Sequence, residues 1–300
     1  MATSRSTTIG ITVLLLLVFA GGLFLSSRIL TGRGVPLLQG GRVAVLPISG
    51  VITSEESFLH NLSAFRRNST VRAFVIEIRS PGGGVGASQA IYRELRKLRE
   101  TDERPVIAWM GDVGASGGYY VALAADSIYA LPGTITGSIG VVMEFPNAQE
   151  LLRKVGIGWE VVKSGEHKDM GSPARPLTPS DREILEGLVG DVYDQFVDAV
   201  AANRTLDRSR VLELADGRVF TGEQAVELGL VDGISTLEEA IELAGRMAGL
   251  GDHPSTLRPR EPRFRLVDLL LGLSGRQVRR LAEWIPAVGP RAPRLLYEWR

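Results

Sequence analysis

The apolar run Pro105-Val106-Ile107-Ala108-Trp109-Met110, followed closely by Gly114-Ala115-Ser116-Gly117-Gly118-Tyr119-Tyr120, decides the fold. A short run rich in β-branched and aromatic residues, bounded by glycines, reads as a buried strand over 106–110. The helical pattern over 116–125 follows directly, so Ser116 stands at a strand-to-helix turn. Working outward, the β-branched runs 42–48 and 71–78 predict two more buried strands, the second running into Arg79-Ser80-Pro81-Gly82-Gly83-Gly84. Residues 87–99 place Ala90, Ile91, Leu95 and Leu98 on one face at helical spacing. Strands over 127–130 and 159–162 continue the alternation. Repeated β–α units imply an α/β fold with a mostly parallel sheet, in which sites gather at the carboxyl ends of strands. Both glycine clusters, 82–84 and 114–118, end predicted strands and so should share one sheet edge.

Farther along, Thr178-Pro179-Ser180-Asp181 opens a long helix, with threonine as cap, proline in the first turn and an acid behind it. Its apolar stripe is Ile184, Leu185, Leu188, Val192, Phe196, Val197 and Val200. Thr221-Gly222-Glu223-Gln224 opens a shorter helix, and Leu230-Val231-Asp232 reads as a short strand.

Composition narrows the function classes. The 300 residues are 44% hydrophobic, enough for a sizeable core. A formal net charge of zero argues against nucleic-acid binding by phosphate neutralisation. With no cysteine there is no disulfide framework, thiol nucleophile or thiolate metal site. Neither metal-ligand spacing nor a phosphate loop ending in Lys-Ser or Lys-Thr occurs, so no cofactor and no metal is expected.

Residues 6–27 carry no charge and 9–25 are almost wholly apolar. About 20 apolar residues span a bilayer core as a helix, so this segment is expected to be an uncleaved anchor. A cleaved signal peptide would have a shorter apolar core ending in small residues, a pattern absent here. The flanking arginines, Arg5 on one side and Arg28, Arg33 and Arg42 on the other, do not set its orientation. The chain thus divides into an anchor and connector (1–41), a catalytic domain (42–250) and an arginine-rich tail (251–300). Positions 253–300 hold ten arginines against four acids, the composition of a basic membrane-surface segment, a docking arm or a solvated tail.

A serine among glycines, without bulky neighbours, offers an exposed hydroxyl and surrounding N–H donors, which acyl transfer needs. It also needs a base. The histidines are His60, His167 and His253. Residues 114–118 fit the Gly-x-Ser-x-Gly elbow of α/β-hydrolases, whose histidine comes late, so only His253 would serve. Lysine is the alternative. At a pKa of about 10.4 roughly one amine in 2,500 is neutral at pH 7, so a lysine base must be buried to lose its charge. The candidates lie in Lys163-Ser164-Gly165-Glu166-His167-Lys168-Asp169-Met170-Gly171-Ser172-Pro173, where both lysines equally suit solvated loop charges.

Four stretches resemble one family in order and spacing: Ser80-Pro81-Gly82-Gly83-Gly84, Gly114-Ala115-Ser116-Gly117-Gly118-Tyr119-Tyr120, Thr134-Ile135-Thr136-Gly137-Ser138-Ile139-Gly140 and Gly165-Glu166-His167-Lys168-Asp169. The chain is similar, over about 42–249, to short-form signal peptide peptidases of the protease IV type. That resemblance implies the Clp protease/crotonase fold of repeated β-β-α units, preceded by one transmembrane helix. It implies Ser116 as nucleophile, Lys168 as general base, Ser138 orienting the amine, and N–H groups of Gly83 and Gly117 as the oxyanion hole. Asp169 is expected to support the loop or pair with an arginine, the role of Arg175 is left open, and Tyr119 and Tyr120 are expected to pack. A membrane-anchored homo-oligomer acting on signal peptides or other short apolar peptides outside the cytoplasm is the implied function. The rivals are an esterase using Ser116 and His253, a non-enzymatic scaffold of the same fold, and acyl-CoA chemistry on the same oxyanion architecture.

Overall fold

In the computed structural model, which describes residues 40–259 and 296–298, the β-branched runs become the centre of a sheet. β1 (Arg42–Ser49) leads through α1 (Glu56–Arg66) to β2 (Val71–Ser80), and β3 (Gly82–Gly84) follows at once. α2 (Val85–Thr101) returns the chain to β4 (Val106–Ala115), α3 (Gly117–Ala122), β5 (Ser127–Ala130) and β6 (Ile135–Gly137). The strands predicted over 42–48, 71–78, 106–110 and 127–130 are therefore present. β4 runs five residues past the apolar stretch and the helix after Ser116 is correspondingly shorter.

β1, β2 and β4 pair in parallel, and alternate residues serve opposite faces. Ala44, Leu46, Phe74, Ile76, Ile78, Val106, Ala108 and Met110 join one core with Leu95 and Leu98 of α2. Val43, Val45, Ala73, Val75, Ile107 and Trp109 join a second core on the other face. Strands covered on both faces need apolar residues at every position, which is why these runs are continuous rather than alternating. Each large side chain so buried contributes about 1.5–3 kcal/mol.

β4 is long enough to hold two neighbours on one edge: β5 along 107–110 and β6 along 113–115. The order β7-β6-β4-β2-β1-β9 completes the main path, where β7 is Val219–Phe220 and β9 is Ser255–Leu257. All these pairings are parallel except β6 with β7.

Between β6 and β7 the chain leaves the sheet through α4 (Gln149–Lys154) and a 3-10 turn (Glu166–Asp169), then returns through α5 (Pro179–Arg204) and α6 (Arg208–Leu214). α5 starts as expected, with a reciprocal Thr178–Asp181 capping box and Pro179 in the first turn. Phe196, Val197 and Val200 are buried, but Ile184 and Leu188, read as part of the same stripe, are exposed. The expected strand over 159–162 is absent: those residues are irregular and exposed. Apolar residues form a strand only when a neighbouring ladder pairs with them, and no described strand pairs with these.

α7 (Gly222–Glu227), β8 (Gly233–Ile234) and α8 (Leu237–Met247) close the fold, with α7 and α8 opened by capping boxes at Thr221 and Thr236. α8 presses Ala240 and Ala244 onto the second core. The run Leu230-Val231-Asp232 is not itself a strand. Leu230 and Val231 are buried, and the Asp232 carboxylate accepts the Ile128 N–H at 2.6 Å, so the ladder to β5 begins one residue later. Finally β10 (Leu296–Glu298) pairs antiparallel with β3. The apolar segment 9–25 and most of the arginine-rich tail lie outside the described residues. No helix among the described residues is long and apolar enough to cross a membrane.

Candidate active site

The parallel register assembles the glycine and serine turns. Ala115 of β4 lies opposite Gly137 of β6, so the next residues, Ser116 and Ser138, leave adjacent strands at the same edge. Ser80 of β2 lies opposite Gly114, which brings Gly82–Gly84 to that edge too. The expectation of one shared edge therefore holds. The Ser116 N–H donates to Gly137 O at 2.8 Å and ties the two serine turns together.

Ser116 has φ 50° and ψ −117°, and Ser138 also has φ 50°. A non-glycine residue at positive φ is uncommon and costs on the order of 1–3 kcal/mol, a strain that concentrates at functional sites. Among the described residues the Ser116 hydroxyl has no hydrogen-bond partner. The residue is only 1% exposed, however, so the open hydroxyl read from its small neighbours is not found. Tyr119 and Tyr120 pack as expected. Tyr119 donates to Leu230 O at 2.8 Å, and Tyr120 stands edge-on to Phe196 with ring centroids 5.0 Å apart. Burial pushes the Tyr120 phenol up to about 12, so both rings are neutral packing groups.

Gly82 has φ 106°, which only glycine adopts freely. A Cβ on Gly83 would lie 2.2 Å from Ile52 O, because β3 is drawn against Ile52 by Ile52 N–H to Gly82 O and Gly84 N–H to Ile52 O, each 2.8 Å. Gly118 likewise passes near Ser80 O, where a Cβ would stand at 2.8 Å. These approaches hold the start of α3, with its Gly117 N–H unused by the helix, beside the end of β2.

The two lysines of the loop differ sharply. The Lys163 amine donates to Glu166 O at 2.7 Å and Asp169 Oδ1 at 2.8 Å, so it is a structural cation. Asp169 also takes two bonds from Arg175, whose Nη1 reaches Asp181 Oδ2 at 2.6 Å. Asp181 Oδ1 meets His167 Nδ1 at 2.9 Å. Arg175, then Lys163, holds the Asp169 carboxyl well below the usual range; Arg175, then His167, does the same for Asp181. Lys168, at the centre of this clamp, is left out of it. Its side chain is exposed and, among the described residues, its amine makes no hydrogen bond or ion pair. Burial of this amine, expected from the sequence, is thus not found within one chain. The reading of Asp169 as a loop support paired with an arginine agrees with the geometry, and Arg175, whose role the sequence left open, is that arginine. The linking role of Asp181 was masked by its better-known use as a helix-cap acid.

His253 is ruled out as partner of Ser116. It precedes β9, which runs parallel to β1, and so sits at the amino-terminal edge of the sheet, opposite the edge of Ser116. Its side chain is 91% exposed, 3.3 Å from Glu242. His60 is exposed on α1, and His167 is held by Asp181.

Residues 99–251, about half of the chain, match peptidase family S49. The chain belongs to this family. As a member of it, this S49 chain is a serine peptidase, and the matched span includes positions 116, 138 and 168. It is 44% identical over 211 residues to a putative protease of Synechocystis, covering 70% of this chain and 75% of that protein. It is 39% identical over 189 residues to a putative signal peptide peptidase SppA of Enterococcus faecium, covering 63% and 55%. With the chloroplastic serine protease SPPA of Arabidopsis thaliana it shares 36% over 230 residues, 76% of this S49 chain but 33% of the plant protein.

Proposed function

We propose that this S49 peptidase works through a Ser–Lys dyad of Ser116 and Lys168, with Ser138 orienting the amine and the Gly83 and Gly117 N–H groups binding the oxyanion. The observation that carries the reading is the pair of strained serine turns, each at φ 50°, held side by side next to the Gly82–Gly84 strand. Ser116 Oγ attacks the scissile carbonyl while its proton passes to the neutral Lys168 amine. The oxyanion collapses, the C–N bond breaks, and the ammonium returns the proton to the leaving amine. Water then repeats the sequence on the acyl-enzyme.

An amine free in water stays protonated, so Lys168 needs cover from another surface. Leu151, Val155, Ile157, Trp159, Val161 and Val162, on the same excursion from the sheet, are exposed apolar residues suited to contact between copies. A homo-oligomer in which a neighbour buries this loop accounts for both features and agrees with the family resemblance. Signal-peptide remnants and other short apolar peptides are the proposed substrates, with residues 9–25 as a single-pass anchor and the catalytic domain outside the cytoplasm.

The test is peptide cleavage together with fluorophosphonate labelling of wild type, Ser116→Ala and Lys168→Ala. Both variants should remain folded and lose turnover, by about 10³-fold or more. Full activity in either one would overturn the dyad.

A further inference from the structure

At the corner between β2 and β3 the ladder to β1 loses its regular register, and a proline is the reason. In a parallel ladder a residue gives its N–H to the carbonyl just before its opposite number and takes the N–H just after it. Gly50 donates to Arg79 O at 2.9 Å, so its own carbonyl should accept the N–H of residue 81. Residue 81 is proline and has none. The Ser80 hydroxyl stands in, donating to Gly50 O at 2.7 Å. The next rung is displaced by one residue. In regular register Ile52 would lie opposite Gly82 and take the Gly83 N–H. It lies instead opposite Gly83, donating to Gly82 O and accepting from Gly84 N–H. The residue so added, Gly82 at φ 106°, has an N–H outside the ladder, and Ser80 Oγ accepts it at 3.1 Å. Ser80 is fully buried, and without its hydroxyl Gly50 O and the Gly82 N–H would each lose the partner they have here.

We infer that Ser80 is a positioning residue of the active site: its hydroxyl, together with Pro81, locks a one-residue bulge that turns the Gly83 N–H away from Ile52. The inference rests on the role given above to Gly83 as oxyanion donor. Successive residues of a strand turn their N–H groups to opposite sides, so the slip decides which glycine amide faces which way. In regular register the Gly83 N–H would be bonded to Ile52 O. With the slip it faces the other side of β2, where β4 leads into Ser116. Bulges beside active sites re-aim groups in this manner. The close approach of Gly118 to Ser80 O carries any shift at Ser80 into the turn of the nucleophile as well. Among the described residues the Ser80 hydroxyl bonds only backbone groups, so it acts on the reaction through them.

The experiment compares wild type, Ser80→Ala and the double variant Ser80→Ala/Pro81→Ala in the full chain. Loss of the hydroxyl should speed amide exchange at Gly82 by about tenfold or more and lower the melting temperature by about 4 °C or more. For an apolar peptide, kcat should fall by about 100-fold with KM within about threefold of wild type, because the donor is needed in the transition state. The second substitution supplies the N–H that Gly50 O lacks and lets the strand take regular register. It should restore most of the lost melting temperature and none of the lost kcat, a split that a merely structural role would not give. Recovery of kcat along with stability overturns the positioning role, as does a wild-type kcat in Ser80→Ala. Unchanged exchange at Gly82 in Ser80→Ala overturns the lock itself, whatever the activity. Should Ser80→Ala fail to fold, the double variant decides: stable and inactive supports the inference, stable and active overturns it. Faster exchange at Gly82 in Ser80→Ala, in a protein whose wild type cleaves no peptide, supports the lock and overturns the catalytic reading alone.

Discussion

Ser116 pays for its position in backbone strain, and that strain is measurable. A glycine there adopts φ 50°, ψ −117° without a Cβ penalty, whereas alanine keeps it. Ser116→Gly should therefore be more stable than Ser116→Ala by about 1 kcal/mol in thermal denaturation, both being inactive. Equal stabilities would mean that the turn is relaxed. The two lysines separate by the same logic. Lys163→Ala removes a loop ion pair and should lower activity partially, restored by Lys163→Arg. Lys168→Ala should abolish activity, and Lys168→Arg should not restore it, because a guanidinium keeps its proton. Peptidase assays of the four variants check this. The motifs that hold Ser116, Ser138 and Lys168 stand out in the sequence. Which lysine is structural was not legible there, because Lys163 and Lys168 share one loop composition and differ in which amine reaches Glu166 O and Asp169.

The excursion carrying Lys168 is organised by Asp169, Arg175, Asp181 and His167 rather than by a core of its own. Both carboxyls titrate below the ordinary value in the folded chain, so the stability they contribute is present above about pH 4 and is lost as pH falls through their lowered values. Melting temperature should be nearly flat from pH 5 to 8 and drop more steeply below pH 4 in wild type than in Asp181→Asn, as scanning calorimetry would show. Identical slopes would remove Asp181 from the account. The ends of helices and strands were readable here: Thr178, Thr221 and Thr236 are caps whose chemistry is local. The strand expected over 159–162 failed for the opposite reason, since a ladder needs a neighbour and periodicity does not report whether one exists.

Across the whole molecule, the two faces of the sheet are filled while the excursion leaves Trp159 58% exposed amid other apolar residues. If neighbouring copies cover this surface, Trp159→Asp combined with Val162→Asp should shift light-scattering mass toward the monomer. Activity should fall with it, although Ser116 and Lys168 are untouched. A monomeric variant with full activity would show that the single chain completes its own site.

The parallel sheet and the strand-end site were decided by short-range pattern: continuous β-branched runs ending in glycine, and caps placed one turn from their partners. Those features depend on a few neighbouring residues, so order along the chain suffices to reveal them. The meeting of Ser116 with Ser138, the placing of His253 at the far edge and the laying of Leu296–Glu298 along β3 depend on register between distant segments. Register is settled by how two buried faces pack together, and only the folded chain brings those faces into contact.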